Sequence, residues 1–326
     1  MASEAAAVRT GTFNYMSDAA EPSLYRNGKV LTRRDLDGSD AEWKGVDLNE
    51  FDMPVHDARQ LAGADRKTLL ANGFEMLARP LRDPELDFFD HQLVVRDYYP
   101  HCAEIIREAT GARVVAAFDH NIRSAAGKAS KKRIEGGQQV QGPASVVHGD
   151  YTLTSAPQRL RDLAQPPGQN DTLRTVLGGG ESLLDRDEVE QAITDGRFAI
   201  INLWRNIVPE PVAVHPLALC DAVSFGPEDL VVFEIHYADR VGENYFAKHA
   251  DGHRWFFYPG LTRDEALLIK QWDSAGRLAM TGGEAADAGG GEPCTFSFHS
   301  AFADPTTPAD APERWSMEVR CAVLYD

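Results

Sequence analysis

The triplet His148-Gly149-Asp150 combines two residue types that bind metal ions at a spacing that suits a strand. The run around it, 144–153, is rich in β-branched and apolar residues, and alternate side chains of a strand point to the same face. The imidazole and the carboxylate are therefore expected to project together. With a second histidine they form the two-histidine, one-carboxylate set of non-haem Fe(II) oxygenases, which leaves positions open for a 2-oxoacid and O2.

A second triplet of the same form, His249-Ala250-Asp251, is an alternative. With 10 histidines and 50 acidic residues in 326, chance gives about 1.5 such triplets, so the pattern alone is weak evidence. The surroundings favour His148, because His249 lies in a short polar turn and only 75 residues follow Asp251. Spacing favours the other triplet, because His249 is 50 residues from His299 whereas His148 is 151 residues away.

His299 is the candidate for the third ligand, although a lone histidine among aromatic residues is commonly a core residue. Arg314 follows it by 15 residues and opens the last predicted strand, whose polar face also carries Ser316 and Arg320. A guanidinium fork beside a hydroxyl suits the distal carboxylate of 2-oxoglutarate. We expect Arg314 and Ser316 to hold that carboxylate, with Arg320 as second choice; the plain alternative is a solvent-facing polar edge.

The elements that must position these residues are mainly strands. Turns rich in Gly, Pro and Asp separate predicted strands at 198–204, 230–236, 255–258, 266–272, 295–302 and 315–325. Irregular spacing without βαβ alternation is typical of an antiparallel double-sheet barrel. The sequence therefore predicts an α+β protein with a mainly β core, a double-stranded β-helix of the jelly-roll, cupin-like type, with N-terminal helices packed on it.

We expect one domain over residues 1–326, with an N-terminal arm or short hairpin at 1–50, helical support at 51–143 and the barrel at 144–326. Helical spacing at 57–78, and Pro100 and Gly111 at the ends of 99–111, predict two helices, and 113–118 predicts a strand. The Gly/Lys-rich stretch 124–143 is either a mobile surface loop or a lid over a pocket. Residues 168–181 and 282–292 have the composition of insertions.

Composition restricts the partners. Asp and Glu number 50 against 33 Lys and Arg, and the formal net charge of −17 argues against nucleic acid or an anionic membrane. The sequence shows neither a signal-peptide core nor an apolar run of membrane-spanning length, and its four cysteines are widely spaced. We therefore expect a cytoplasmic protein with free thiols that acts on a small molecule. The sequence does not indicate an oligomeric state.

Phrases around these residues resemble a family of Fe(II)/2-oxoglutarate-dependent oxygenases of specialised metabolism, the hydroxylase/desaturase group that includes CmcJ, AsaB and NvfI. The matching phrases span about residues 70–325: 73–74 (GF), 98–100 (YYP), 118–123 (FDHNIR), 147–152 (VHGDYT), 202–205 (NLWR), 217–221 (LALCD), 253–259 (HRWFFYP), 264–268 (DEALL), 273–274 (DS), 299–305 (HSAFADP) and 314–320 (RWSMEVR). The resemblance also selects His148 over His249, because Asp150-Tyr151-Thr152 continues the matching phrase.

The resemblance implies a double-stranded β-helix with iron bound by His148, Asp150 and His299. It implies Fe(II), 2-oxoglutarate and O2 as requirements, with release of succinate and CO2. The expected reaction is oxidation of an unactivated C–H bond of a small metabolite or an amino-acid-derived intermediate, by hydroxylation, desaturation or ring formation. Two alternatives stay open: a cupin-like metal dioxygenase that does not use 2-oxoglutarate, and a non-catalytic barrel that binds a ligand.

Further residues in the matching phrases are candidates for the pocket. These are Arg205, His120, Arg123, His253 and Tyr258, and each either lines the pocket, orients a ligand through a hydrogen bond, or satisfies buried carbonyl groups. Of the five, Arg205 and Tyr258 are expected to contribute to cofactor binding. The chain also departs from the family pattern. Asn206 stands where the family commonly has proline, and the two insertions are long, which puts the substrate rather than the iron site in question.

Overall fold

The computed structural model describes residues 8–35, 41–134 and 137–326, and strands dominate these residues. In chain order the strands are β1 (Val8–Met16), β2 (Leu31–Arg33), β3 (Leu48–Asp57), β4 (Phe74–Ala78), β5 (Val114–Arg123), β6 (His148–Gly149), β7 (Phe198–Asn206), β8 (Leu217–Cys220), β9 (Leu230–His236), β10 (Val241–Ala247), β11 (Trp255–Phe257), β12 (Glu265–Asp273), β13 (His299–Ala301) and β14 (Ser316–Leu324).

The strands form two sheets. The larger has nine strands in the order β1-β3-β11-β8-β13-β6-β10-β9-β2, and the smaller has five in the order β4-β12-β7-β14-β5. A buried apolar cluster joins the sheets, since it contains Leu219 and Phe256 of the larger sheet and Trp204, Leu267 and Ile269 of the smaller. The core therefore lies between two mainly antiparallel layers.

The predicted strands of the second half of the chain are confirmed. β9 has the predicted bounds, and β7, β11, β12, β13 and β14 each overlap their predicted range. All nine residues of β7 are buried, so its sequence is an almost continuous apolar run rather than an alternating one. The helix α2 (Tyr99–Thr110) covers part of the smaller sheet, because it contacts β5, β7 and β14.

The helices are short: α1 (His91–Leu93), α2 (Tyr99–Thr110), α3 (Ala125–Ala129), α4 (Ser155–Leu163), α5 (Arg186–Thr194) and α6 (Arg277–Met280). The prediction of α2 is confirmed. Pro100 lies in its first turn and Gly111 caps its C-terminus with a left-handed φ of 68°. None of the helices in the described residues is both long and apolar enough to cross a bilayer.

The predicted helix at 57–78 is wrong. This segment holds two 3₁₀ turns, Ala58–Gln60 and Gly63–Asp65, and then β4, which pairs antiparallel with β12. The chain turns at Gly73, whose φ of +88° favours glycine, and a Cβ there would lie 2.7 Å from the Ser297 side chain. Strand pairing with β12 thus overrides the helical spacing of the leucines.

The N-terminal half contributes more strands than the sequence predicts. β1 pairs antiparallel with β3 along its whole length, from Val8 opposite His56 to Met16 opposite Leu48, and β3 also pairs with β11. β5 runs to Arg123, beyond the predicted end at residue 118, and lies in the smaller sheet upstream of residue 144. Both sheets thus include strands from the N-terminal half.

Candidate metal centre and active site

His148, Asp150 and His299 lie together. β6 pairs with β13 so that His299 stands directly opposite His148, with their ring centroids 4.2 Å apart. Asp150 Oδ1 is 3.6 Å from His148 Nε2 and 4.0 Å from His299 Nε2. One ligand atom of each residue lies within 4.8 Å of the others, and all three residues are buried. This is the geometry that can hold one metal ion.

Contacts outside the cluster orient these ligand atoms. His148 Nδ1 is 2.8 Å from the Val146 carbonyl, so a proton on Nδ1 leaves the Nε2 lone pair for the cluster. Asp150 Oδ2 accepts hydrogen bonds from Asn202 Nδ2 at 3.0 Å and Arg320 Nε at 3.2 Å. The other oxygen, Oδ1, therefore faces the two imidazoles.

The charge states also suit a cation. Burial, together with the neighbouring His299, lowers the pKa of His148 to about 4. Burial likewise lowers the pKa of His299. For the Asp150 carboxyl, burial acts to raise the pKa, but Arg320 and the two imidazoles outweigh it and the pKa is lowered. Two neutral imidazoles and one carboxylate at neutral pH are ready ligands for a divalent ion.

The alternative triplet does not form such a cluster. The His249 ring stacks on Phe51 with centroids 3.9 Å apart, and its Nε2 lies 3.3 Å from the Met53 sulfur. The Asp251 side chain is fully exposed. Within the described residues, no third ligand joins His249 and Asp251.

Ser316 is the first residue of β14 and Arg314 lies two residues before it, and both are buried. The guanidinium donates to the His215 carbonyl and lies over the Trp204 ring, and no ion pair in the described residues includes it. Arg314 Nε and Ser316 Oγ are buried polar atoms without a hydrogen-bond partner in the described part of the chain. Burial, together with the nearby Arg123, lowers the pKa of Arg314 to about 9.

Arg320 differs because carboxylates surround it. Its guanidinium pairs with Asp119 at 3.0 Å and Glu318 at 3.0 Å as well as with Asp150. Burial acts to lower the pKa of Arg320, but these carboxylates outweigh it and hold the pKa well above its usual range. Its charge is thus already matched, and it positions Asp150.

Arg205 and Tyr258 are not brought to the cluster. Arg205 is fully buried and donates to the backbone carbonyls of Arg79 and Arg263 and to the Tyr98 hydroxyl. Tyr258 packs in the apolar cluster between the sheets. Arg205 thus satisfies buried carbonyl groups, one of the three roles left open for it.

A cavity of about 280 Å³ opens beside His148 and Asp150. Its walls come from β5, from residues 137–141 of the predicted loop or lid, from α4, from residues 169–175 of the first insertion, and from β9 and β10 with their connection. His120 lines this cavity with its Nδ1 2.8 Å from the Tyr99 hydroxyl. His253 does not line it and instead lies 3.0 Å from the Tyr15 hydroxyl.

Sequence reasoning missed several residues of this region. Asn202 lies within a phrase that matches the family, so the matching phrase was a usable signal. Arg159, Asp171 and Arg240 lie on the cavity wall as an ion-paired group, with Asp171 between the two arginines. No motif marks these three residues, because the insertion, α4 and the connection before β10 bring them together only in the fold.

Comparison with known proteins agrees with these observations. An uncharacterized protein of Methylophilus leisingeri, encoded in the dcmA 3' region, is 44% identical over 195 residues, which are 60% of this chain and 88% of the relative. Hydroxylase/desaturase PoxK of Penicillium oxalicum is 28% identical over 75% of this chain and 70% of its own. The Fe(II)/2-oxoglutarate-dependent dioxygenase NvfI of Aspergillus novofumigatus is 28% identical over 72% of this chain and 69% of its own. The resemblance to the hydroxylase/desaturase group is thereby confirmed.

The structures agree as well. The solved structure of the iron and alpha-ketoglutarate-dependent endoperoxidase NvfI matches with a TM-score of 0.72 at 22% identity, over 98% of both chains, so the two proteins share a fold. A family model described as Oxidoreductase/YMDC permease-like domain matches residues 13–177 and 181–324. The chain therefore belongs to the oxidoreductase/YMDC permease-like domain family.

Proposed function

We propose that the chain is an Fe(II)/2-oxoglutarate-dependent oxygenase that oxidises an unactivated C–H bond of a small metabolite. The observation that carries the proposal is the convergence of His148 Nε2, His299 Nε2 and Asp150 Oδ1 at one point. Relatives named hydroxylase/desaturase and Fe(II)/2-oxoglutarate-dependent dioxygenase support it.

The strand order supports a double-stranded β-helix as the finer description of the fold. Eight strands form two four-stranded layers, β6-β13-β8-β11 in the larger sheet and β5-β14-β7-β12 in the smaller. Successive barrel strands alternate between the layers from β5 to β14, except that β8 and β11 both lie in the larger layer. We take the whole chain as one such domain, with β1–β3, β9 and β10 extending the larger layer.

The residues present fit a ferrous ion. Two imidazole nitrogens and one carboxylate oxygen leave coordination positions free, which suits iron that must also bind a 2-oxoacid and O2. When bound, iron would activate O2 as the oxidant, and 2-oxoglutarate would supply two of the electrons and leave as succinate and CO2. The chain holds the ion through His148, Asp150 and His299, and Asn202 and Arg320 fix the carboxylate.

The residues also fit 2-oxoglutarate. Arg314 carries a buried positive charge without an acidic partner, and its Nε and the Ser316 hydroxyl lack hydrogen-bond partners in the described residues. A carboxylate at this point would satisfy both groups and offset the desolvation of the guanidinium. We therefore assign the distal carboxylate of 2-oxoglutarate to Arg314 and Ser316 rather than to Arg320, whose three carboxylate partners already neutralise it.

The remaining work of the chain is to orient the substrate and exclude water. The cavity beside His148 and Asp150 brings a substrate to the ion on one side only, and its rigid strands fix which C–H bond lies nearest. Hydroxylation, desaturation and ring formation differ in that positioning. The product therefore depends on the cavity walls rather than on the ion.

The test is an anaerobic titration of the purified chain with Fe(II) and then 2-oxoglutarate. We expect a weak visible charge-transfer band that saturates with 2-oxoglutarate, and slow release of succinate once O2 is admitted. A chain that binds Fe(II) but gives neither the band nor succinate is a metal dioxygenase of another kind. A chain that binds no metal contradicts the proposal altogether.

A further inference from the structure

The cavity beside the proposed metal centre is strongly polar. Apolar side chains such as Phe118, Ile235 and Val241 are a minority of its lining. The charged lining residues are five arginines and five acids: Arg34, Arg123, Arg159, Arg240 and Arg320, with Asp119, Asp150, Asp162, Asp171 and Glu243. An apolar substrate would remove water from these groups without replacing its hydrogen bonds, which is costly. The cavity therefore suits a polar substrate.

The acids of this cavity already have partners. Arg320 pairs with both Asp119 and Asp150. Asp171 lies 2.8 Å from Arg159 and 3.6 Å from Arg240.

The other two acids are also engaged. Glu243 pairs with Arg26 at 2.7 Å, and Asp162 accepts a hydrogen bond from Gln158 at 2.8 Å. Four of the five acids thus have an arginine partner, whereas Asp162 has a neutral amide donor.

Arg123 is a cation of this cavity without such a partner. No ion pair in the described part of the chain includes it, and its one hydrogen bond runs from Nη1 to the Gly142 carbonyl at 3.1 Å. Burial lowers the pKa of Arg123, and Glu318 only partly offsets this. The surrounding backbone holds it in place, because Arg123 stands opposite Ser316 in β14 and bridges to Gln141 on its other side.

Arg123 and Arg314 thus present two positive charges that lack acidic partners in the described residues. They differ in access. Arg314 and Ser316 do not line the cavity. Arg123 lines it together with His148 and Asp150. The distal carboxylate of 2-oxoglutarate supplies one anionic group, which the buried pair Arg314 and Ser316 takes. A second anion, entering through the cavity, is left for Arg123.

We propose that Arg123 binds a carboxylate group of the substrate, and that the substrate is a small, otherwise polar carboxylic acid. This assignment rests on the proposed oxygenase function and narrows its substrate class. The volume of the cavity suits a small substrate, since about 280 Å³ lies just below the usual range of about 300–1,000 Å³ for ligand pockets. Arg123 would fix the acid end and so set which carbon lies near the ion.

The test uses the full chain loaded with Mn(II) and saturating 2-oxoglutarate, with acetate as the anionic probe and acetamide as its neutral match. At constant ionic strength we expect acetate to raise the melting temperature saturably and acetamide to leave it unchanged. Arg123→Gln should remove the acetate response and leave the dissociation constant for 2-oxoglutarate within about threefold. Arg107→Gln, which removes an exposed arginine of α2, should keep the response.

Three results would overturn the assignment. One is an equal acetate response in Arg123→Gln and the unaltered chain, and another is an equal response to acetate and acetamide. The third is a 2-oxoglutarate affinity that falls in Arg123→Gln as much as in Arg314→Gln, which would make Arg123 part of the cosubstrate site. If Arg123→Gln does not fold, Arg123→Met, which also removes the charge, replaces it, and an acetate response as strong as that of the unaltered chain counts against the proposal.

Failure of the oxygenase function itself has a different signature. The unaltered chain would then show no charge-transfer band with Fe(II) and 2-oxoglutarate. The acetate comparison on the metal-free chain would still report on Arg123.

Discussion

At the scale of single residues, the two oxygens of Asp150 have separate tasks. Oδ1 faces the imidazoles, and Oδ2 accepts from Asn202 and Arg320. Such outer contacts fix a ligand in one orientation and typically change metal affinity by about 10–100-fold. The proposed site therefore depends on five side chains, of which three would touch the ion.

Removing one imidazole should abolish useful iron binding. We expect His148→Ala and His299→Ala each to weaken Fe(II) binding at least about 100-fold, more than the loss of an outer contact. Metal titration without O2 measures it. His249→Ala is the matched control, because that ring stacks on Phe51 away from the cluster. Iron loss in the control and not in the other two would reverse the choice of triplet.

Replacing Arg314 should affect the cosubstrate and not the metal. A hydrogen bond to a charged group contributes about 1.5–3 kcal/mol, so Arg314→Gln should raise the dissociation constant for 2-oxoglutarate roughly 10–100-fold. The charge-transfer band reports this affinity, and iron affinity in the same variant is the control. An unchanged 2-oxoglutarate affinity would move the carboxylate to another arginine.

The sequence shows part of this residue-level detail. The triplet at 148–150 and the spacing from His299 to Arg314 can be identified by type and distance along the chain. The difference between Arg314 and Arg320 cannot. That difference depends on which acids β5 and β14 place beside each guanidinium. In the sequence, Arg314 and Arg320 look equivalent because both lie on one predicted polar face.

At the scale of elements, buried charge holds β12 to its neighbours. Lys270 and Asp273 are both buried and 2.9 Å apart, and Arg197 pairs with the same carboxylate at 2.7 Å. Lys270 also donates to the carbonyls of Leu70 and Cys294. One lysine thus ties the turn before β4 and the end of the second insertion to the smaller sheet.

Breaking this group should destabilise the fold. Asp273→Asn leaves the buried ammonium without its acid, which typically costs about 3–5 kcal/mol. Urea unfolding measures the loss. Asp264→Asn, at an exposed position just before β12, is the control and should change the free energy of unfolding little. Equal stabilities of the two variants would show that Lys270 does not need Asp273.

The stabilisation that Asp273 provides should depend on pH with a definite sign. Burial acts to raise the pKa of Asp273, but Arg197 and Lys270 outweigh it and the pKa is lowered in the folded chain. The stabilisation is therefore fully present above the unfolded-state pKa of about 3.9 and is lost as pH falls through the lower folded-state pKa. We expect the stability gap between the unaltered chain and Asp273→Asn to narrow below about pH 4. A gap that widens there would contradict the lowered pKa.

The elements could be predicted where burial on both faces leaves a continuous apolar run, as in β7, β9 and β12. Elements could not be predicted where pairing with a distant strand determines the secondary structure. The leucines of 57–78 have helical spacing, yet β12 provides a partner for Phe74–Ala78. The strands β1 and β3 were not predicted because their partners lie far away in the sequence. β1 pairs with β3, and β3 also pairs with β11.

At the scale of the whole molecule, the proposed metal centre connects the two sheets. His148 and His299 lie in the larger sheet, and the Asp150 carboxylate reaches Asn202 and Arg320 of the smaller. Anything bound there stabilises the native fold alone. The predictions of a cytoplasmic location and of no nucleic-acid partner rest on composition and stay predictions.

Loading the centre should therefore raise the melting temperature of the entire chain. At ligand concentrations about 100 times the dissociation constant, binding adds about 2.7 kcal/mol. At an unfolding entropy of about 2.1 cal/mol/K per residue, that corresponds to roughly 4 °C for a chain of 326 residues. Differential scanning fluorimetry with Mn(II) and 2-oxoglutarate measures it. His148→Ala should show no rise, and a chelator should reverse the rise in the unaltered chain.

One consequence follows from the length of β6, which has two residues, His148 and Gly149. A pairing this short opens by local fraying at far lower free energy than the long strands around it need for global unfolding. The rate at which the ion dissociates should then depend on how often β6 opens locally. Warming should therefore speed exchange of the ion at temperatures where the barrel is still folded.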